Sequence, residues 1–128
     1  MTARNPDRQE VLFRVAYRYL THRHNKRWSA EPCIGLQTFK ELVVQPCVYC
    51  GFEASNEVRD RRSRLVLRIN GVDRIDNTKG YVEGNVAPSC RYCNAAKNDR
   101  KLKYFLHWIA EVYHKSVKGT ANDLDISE

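Results

Sequence analysis

Apolar residues first fall at helical spacing at Val11, Leu12, Val15, Ala16, Tyr19 and Leu20, which predicts a helix over about residues 6–23. Ahead of it, Asn5 can cap, Pro6 fits a first helical turn, and Asp7 and Glu10 suit the positive end of the dipole. The opposite face carries Arg8, Arg14, Arg18 and Arg23 and leads into the basic run His22–Arg27. These charges fit a solvated face and a phosphate-facing surface equally well. Leu36, Phe39, Leu42 and Val43 predict a short amphipathic helix over 36–44, ended by Pro46. The pattern then changes. Leu65–Ile69 and Val72–Ile75 are β-rich and flank Asn70-Gly71, a two-residue hairpin signal. Arg59 to Arg64 reads as an exposed loop, and Asn77 to Gly84 as a turn-rich one. A short helix is expected from Cys90 to about Lys97. A last one, with Phe105, Leu106, Ile109, Val112 and Tyr113 as its apolar positions, is expected over about 102–117 and stopped by Gly119. The acidic end, 120–128, reads as a disordered tail. No repeat or low-complexity tract is visible.

Charge and cysteine content narrow the picture. At 128 residues the chain can bury one modest core. Its formal charge is +7. Asp123, Asp125 and Glu128 are three of the 15 acidic residues, so residues 1–119 carry 22 basic and 12 acidic side chains, or +10. Such a balance suits a polyanionic partner. No apolar run approaches the roughly 20 residues of a membrane helix, and no signal peptide is apparent, so a cytoplasmic setting is expected. Thiols stay reduced there, which makes five cysteines better metal ligands than disulfide partners.

Four of the five pair by spacing. Cys47-x-x-Cys50 and Cys90-x-x-Cys93 are separated by residues 51–89. A C-x-x-C turn offers two thiolates from one tight knuckle, with Gly51 just after it to relieve the backbone. The second pair sits at a helix start, where N–H groups favour thiolates. Four thiolates suit tetrahedral Zn2+. With a hairpin between the pairs, knuckle, hairpin and helix form a treble-clef, ββα-metal arrangement in an α+β fold, flanked by N- and C-terminal helices. Zinc is expected to contribute directly to folding. Cys33 stands alone and reads as a small buried apolar residue. Tyr49 and Tyr92, inside the knuckles, read as packing residues rather than base-stacking ones.

The ordered run Cys47-Val-Tyr-Cys50-Gly51, Asn70-Gly71-Val72-Asp73-Arg74-Ile75-Asp76-Asn77, Lys79-Gly80-Tyr81, Gly84-Asn85-Val86 and Cys90-x-x-Cys93-Asn94-Ala95-Ala96-Lys97 resembles the HNH endonucleases, also called ββα-metal or His-Me finger nucleases. The closest likeness is to a small phage-type subgroup with an Asp-Arg-Ile-Asp motif. The likeness spans about residues 34–112 and organises the chain as a basic helix (1–30), an HNH-like zinc domain with a C-terminal helix (31–119) and the tail (120–128). It implies hydrolysis of phosphodiesters in double-stranded DNA, within a bacterial or phage-infected host cytoplasm. It also implies Mg2+ or Mn2+ held by Asp73 and Asn94, an oxygen-only pair that suits such ions. Asn85 is the implied loop asparagine. Monomer and homodimer both stay open.

One position departs from the family pattern. Arg74 stands where the family has its general-base histidine, and an arginine does not take a proton from water. Asp76 as the base with Arg74 on the phosphate, a remote group such as His107, and a domain that binds without cutting are the three readings left. The loop arginines Arg59, Arg61, Arg62 and Arg64, with Arg68, are expected to meet phosphates. Arg91, Lys97, Arg100, Lys101 and Lys103 form a second basic strip. Beside the nuclease stand two alternatives: a catalytically inactive zinc-stapled nucleic-acid-binding module, and a structural zinc domain of a larger nucleoprotein assembly.

Overall fold

The computed structural model describes residues 7–118. In chain order these form α1 (Arg8–Trp28), α2 (Leu36–Val43), β1 (Asn56–Arg59), β2 (Val66–Ile69), β3 (Gly71–Arg74), β4 (Val86–Ser89), α3 (Arg91–Lys97) and α4 (Leu102–Val112), with a π-helical segment Tyr113–Lys118. There are two compact units, the first ending at Ala96 and the second beginning at Lys97.

Asp7 is the N-cap of α1, accepting from the Gln9 amide at 3.0 Å. Asn5, Pro6, Gly119 and the acidic end lie outside the described residues. The helix runs five residues past its expected end because His24 and Trp28 find partners. His24 is fully buried. The Tyr81 amide donates to its Nδ1 at 3.0 Å, so Nε2 carries the ring proton and donates to the Glu31 carbonyl at 2.8 Å. A Cβ at Gly80 would lie 2.6 Å from the imidazole and 2.9 Å from Trp28 Cβ. Only glycine admits this approach.

The core of the first unit joins Leu12, Phe13 and Leu20 of α1 to Ile34, to Phe39 and Val43 of α2, to Leu67 and Ile69 of β2, to Val72 of β3 and to Tyr81. Full burial of such side chains contributes about 1.5–3 kcal/mol each. Cys33 is half-buried against this cluster, and burial pushes its thiol up from its ordinary value.

The hairpin expected at Asn70-Gly71 is not there. β2 pairs antiparallel with β1 (Glu57 opposite Arg68), and β3 pairs antiparallel with β4 (Asp73 opposite Ala87), in two separate two-stranded sheets. A type I′ turn needs positive φ at both central residues and a type II′ turn at the first, and neither Asn70 nor Gly71 adopts it. Asn70 is instead buried and tied to the end of α2. Its amide donates to the Val43 carbonyl at 2.7 Å and its Nδ2 to the Gln45 carbonyl at 2.8 Å. The chain therefore runs straight through, changing strand partners at one peptide. Arg59 belongs to β1, and the exposed arginine loop is the tip of the β1–β2 hairpin, with Arg64 in the left-handed region at φ 62°.

α4 and the π-helical segment make up most of the described part of the second unit. Phe105 is the buried residue of α4, whereas Leu106, Ile109, Val112 and Tyr113 are exposed. No helix among the described residues is long and apolar enough to cross a membrane.

Candidate metal-bearing active site

The four paired cysteines converge. One sulfur from each of Cys47, Cys50, Cys90 and Cys93 lies within 4.8 Å of all the others, and Cys50 and Cys90 are 3.6 Å apart. Ligands 2.3 Å from a tetrahedral ion sit about 3.8 Å apart, so the donor set fits zinc. Gly51, at φ 80°, turns the first knuckle, and its amide donates to the Cys47 carbonyl at 2.9 Å. Burial opposes the Cys47 thiolate, but backbone groups of Cys90, Cys50 and Tyr49 outweigh it and hold the thiol at about 6. Burial and the three neighbouring sulfurs push Cys93 well above its ordinary value. So crowded a set cannot ionise fully by itself, and a dication relieves the repulsion.

Asp73 lies on β3 and is 4% exposed. The Tyr49 hydroxyl, from inside the first knuckle, donates to Asp73 Oδ2 at 2.5 Å. Burial and this hydrogen bond push the Tyr49 hydroxyl up, which keeps it protonated as the donor. Asn94 follows the last cysteine, and its amide donates to the Cys90 carbonyl at 2.9 Å. A Cβ at Gly71 would stand 3.8 Å from Asn94 Nδ2 and 3.3 Å from the Ser89 carbonyl. Gly71 and Asp73 share one strand face, so the Asn94 side chain approaches the face that bears Asp73.

Arg74 turns to the other face. Its guanidinium lies 4.3 Å from the Trp28 ring centroid and 5.6 Å from that of Tyr81. Nη1 donates to the carbonyls of Asn77 at 2.7 Å and Lys79 at 3.2 Å. Asp76 comes just past the strand end, exposed, with Oδ1 accepting from the Thr78 amide at 2.9 Å and hydroxyl at 2.7 Å. Asn85 closes the same loop. Its Oδ1 accepts from the Asp76 amide at 2.8 Å, and its Nδ2 donates to the carbonyls of Gly80 at 2.9 Å and Asp76 at 3.1 Å.

Arg61, Arg62 and Arg64 are exposed at the β1–β2 tip, Arg68 is exposed on β2, and Arg59 pairs with Glu57 at 2.5 Å. The tip is anchored by Asp60, which takes two hydrogen bonds from Arg8 at 2.8 Å and one from Ser63 Oγ at 2.6 Å. Arg100 is exposed, with its guanidinium 5.6 Å from the Trp108 ring centroid. Lys97 is fully buried, so its ammonium does not belong to the expected surface strip. Tyr92, expected to pack, is 60% exposed. Sequence reasoning missed the role of Tyr49. It also missed His24 and Trp28, which are joined to the site loop only through contacts distant in the chain.

No protein-family model matches the chain. Uncharacterized protein R423 of Acanthamoeba polyphaga mimivirus is 34% identical over 70 residues, which is 55% of this chain. The aligned segment spans only 11% of that protein's length. A solved structure of the rare-cutting HNH restriction endonuclease PacI superimposes with a TM-score of 0.55 over 87% of this chain and 91% of that one, at 21% identity. The chain has the fold of an HNH endonuclease, an α+β architecture with a four-cysteine cluster fit for zinc.

Proposed function

We propose that the protein is a metal-dependent HNH-type endonuclease that hydrolyses phosphodiester bonds in double-stranded DNA, akin to the small phage-type subgroup with an Asp-Arg-Ile-Asp motif. The observation that carries this reading is the buried Asp73 carboxylate, held by Tyr49 on the strand face that Asn94 approaches. A buried carboxylate is costly unless it is partnered; Tyr49 supplies one hydrogen bond, and the Asn94 side chain, whose amide also carries an oxygen, approaches the same face.

Asp73 and Asn94 would hold a magnesium or manganese ion, which when bound stabilises negative charge on the scissile phosphate and the leaving oxygen. The zinc ligands are structural in this reading, with Tyr49 passing their rigidity to Asp73. Arg74 acts as a positioning residue, since its guanidinium braces the loop that follows. Asn85 fixes the ends of that loop. Asp76 is its exposed carboxylate, and we assign it the proton of the attacking water. Arg59, Arg61, Arg62, Arg64, Arg68 and Arg100 meet phosphates, and the protein works in a bacterial or phage-infected host cytoplasm.

The test is plasmid cleavage with magnesium, with manganese and with EDTA. Cleavage should need the divalent ion and should disappear in Asp73→Ala and Asn94→Ala at unchanged zinc content. One observation favours a second reading, a zinc-stapled module that binds DNA without cutting it: Arg74 fills the general-base position and is engaged elsewhere. Tight, salt-sensitive binding without cleavage of any DNA, unaltered by Asp73→Ala, would support that module and overturn the nuclease.

A further inference from the structure

Beside the clustered cysteines lies an exposed surface that contains neither Asp73 nor Asn94. Phe52 follows the first knuckle and Tyr92 sits within the second, and each is 60% exposed. Their ring centroids are 6.4 Å apart with planes inclined at 44°, so neither ring covers the other. Arg91 rests its guanidinium 4.9 Å from the Tyr92 centroid and donates from Nη2 to the hydroxyl at 2.9 Å. Next to them opens a cavity of about 600 Å3, lined by Ser55, Asn56, Glu57, Arg91 and Tyr92. Two exposed rings, an exposed cation and a wall of amide, carboxylate and hydroxyl groups match the parts of a nucleotide. The rings suit the π-face of a base, the cation its phosphate, and the polar wall the edge of the base.

A base inside an intact duplex has both faces covered by its neighbours and gains nothing from such a platform. A base outside the stack gains a great deal. We propose that the Phe52–Tyr92 platform, with Arg91, stacks an unpaired nucleobase, and that the substrate class is DNA carrying an extrahelical or single-stranded base. The inference rests on the DNA-binding reading above and adds the form of the substrate to it. Arg91 occupies the seat in the free protein and swings to the phosphate when a base arrives. Stacking tolerates every base, so the preference is for structure rather than sequence.

The experiment measures binding of the zinc-loaded full chain to three labelled oligonucleotides: a perfect duplex, the same duplex with a one-base bulge, and a single strand. In a second bulged duplex, 2-aminopurine is the extrahelical base. Bulge and single strand should bind more tightly than the duplex, and the 2-aminopurine should be quenched on binding. Tyr92→Ala and Phe52→Ala should weaken bulge and single-strand binding by about 5- to 100-fold, with duplex binding changed less than about twofold. Tyr92→Phe should keep the preference. Zinc content reports on the fold of each variant, and if Tyr92→Ala loses zinc, Phe52→Ala and Tyr92→Leu decide. Equal losses on all three ligands, or none on any, would overturn the inference. So would a self-associated wild type that Tyr92→Ala turns into a monomer, since the patch would then be a protein interface. Tight duplex binding without a bulge preference would overturn this inference alone, whereas no DNA binding by the wild type would overturn both.

Discussion

Asp73 and Arg74 are neighbours on β3, yet two systems built on different physics hold them. Asp73 belongs to the cysteine side. It accepts a hydrogen bond from Tyr49, between Cys47 and Cys50, and Asn94 follows Cys93 directly. Arg74 belongs to an aromatic clamp that needs no metal, made of Trp28, Tyr81 and two loop carbonyls, with His24 pinning Tyr81 from α1. The half of the site that bears Asp73 and Asn94 is thus coupled to the cysteine cluster, and the loop half to a helix that begins more than 60 residues earlier. Each half should be removable without the other.

Removing zinc should have the largest effect, because structural zinc contributes about 10–16 kcal/mol to folding in zinc-finger peptides. Cys90→Ala or chelation should abolish metal binding and unfold the knuckles, while the core around α1 keeps a cooperative melt at lower Tm. In partial chelation, hydrogen exchange should rise first at the amides of Gly51, Phe52 and Asn94 and last at Tyr81. Simultaneous exchange at all four would break the comparison. The converse change is Gly80→Ala, which drives a methyl group into His24 and Trp28. Overpacking of this kind costs about 1–3 kcal/mol, so Tm should drop by several degrees at unchanged zinc content.

A finer cut separates Asp73 from the metal knuckle. Tyr49→Phe keeps the ring and removes the hydroxyl donor. A hydrogen bond to a charged group contributes about 1.5–3 kcal/mol, so DNA cleavage should fall about tenfold or more while zinc content and Tm barely move. Cleavage at the wild-type rate would mean that Asp73 needs no help from the knuckle.

The smallest expected effect lies outside both halves. The Arg8 guanidinium, and then Ser63, hold the Asp60 carboxyl well below the usual carboxylate range. A depressed folded pKa gives stability that is present above about pH 4 and is lost as the carboxylate protonates below it. Urea melts of the wild type should therefore weaken more steeply below about pH 4 than those of Asp60→Asn. Parallel acid limbs would show that the pair does not stabilise the fold.

What the sequence made legible was local in character. C-x-x-C spacing located the four clustered cysteines and the helix α3 that follows the second pair, and helical periodicity located α2, α4 and most of α1. Asn70-Gly71 misled because its turn chemistry is real but its environment is not that of a turn: the Asn70 amide is worth more bonded to α2 inside the core. β1 and β4 went unread because Asn56–Arg59 and Val86–Ser89 lack a clean alternation of their own and become strands only beside β2 and β3. The Tyr49–Asp73 bond and the box around Arg74 join residues 24 and 46 positions apart, and no spacing rule reaches that far. Lys97 read as surface because lysine usually is, and the fold buries it.

The straight run from β2 into β3 has an arithmetic consequence for how this chain can vary in length. Side chains alternate along a strand, so one residue inserted between Asn70 and Asp73 would exchange the faces of Asp73 and Arg74. The carboxylate would turn toward Trp28, and the guanidinium toward Tyr49. The same insertion among Arg61, Arg62 and Arg64 would only lengthen an exposed tip. Natural length variation should therefore gather at the arginine tip and avoid the joint at Asn70.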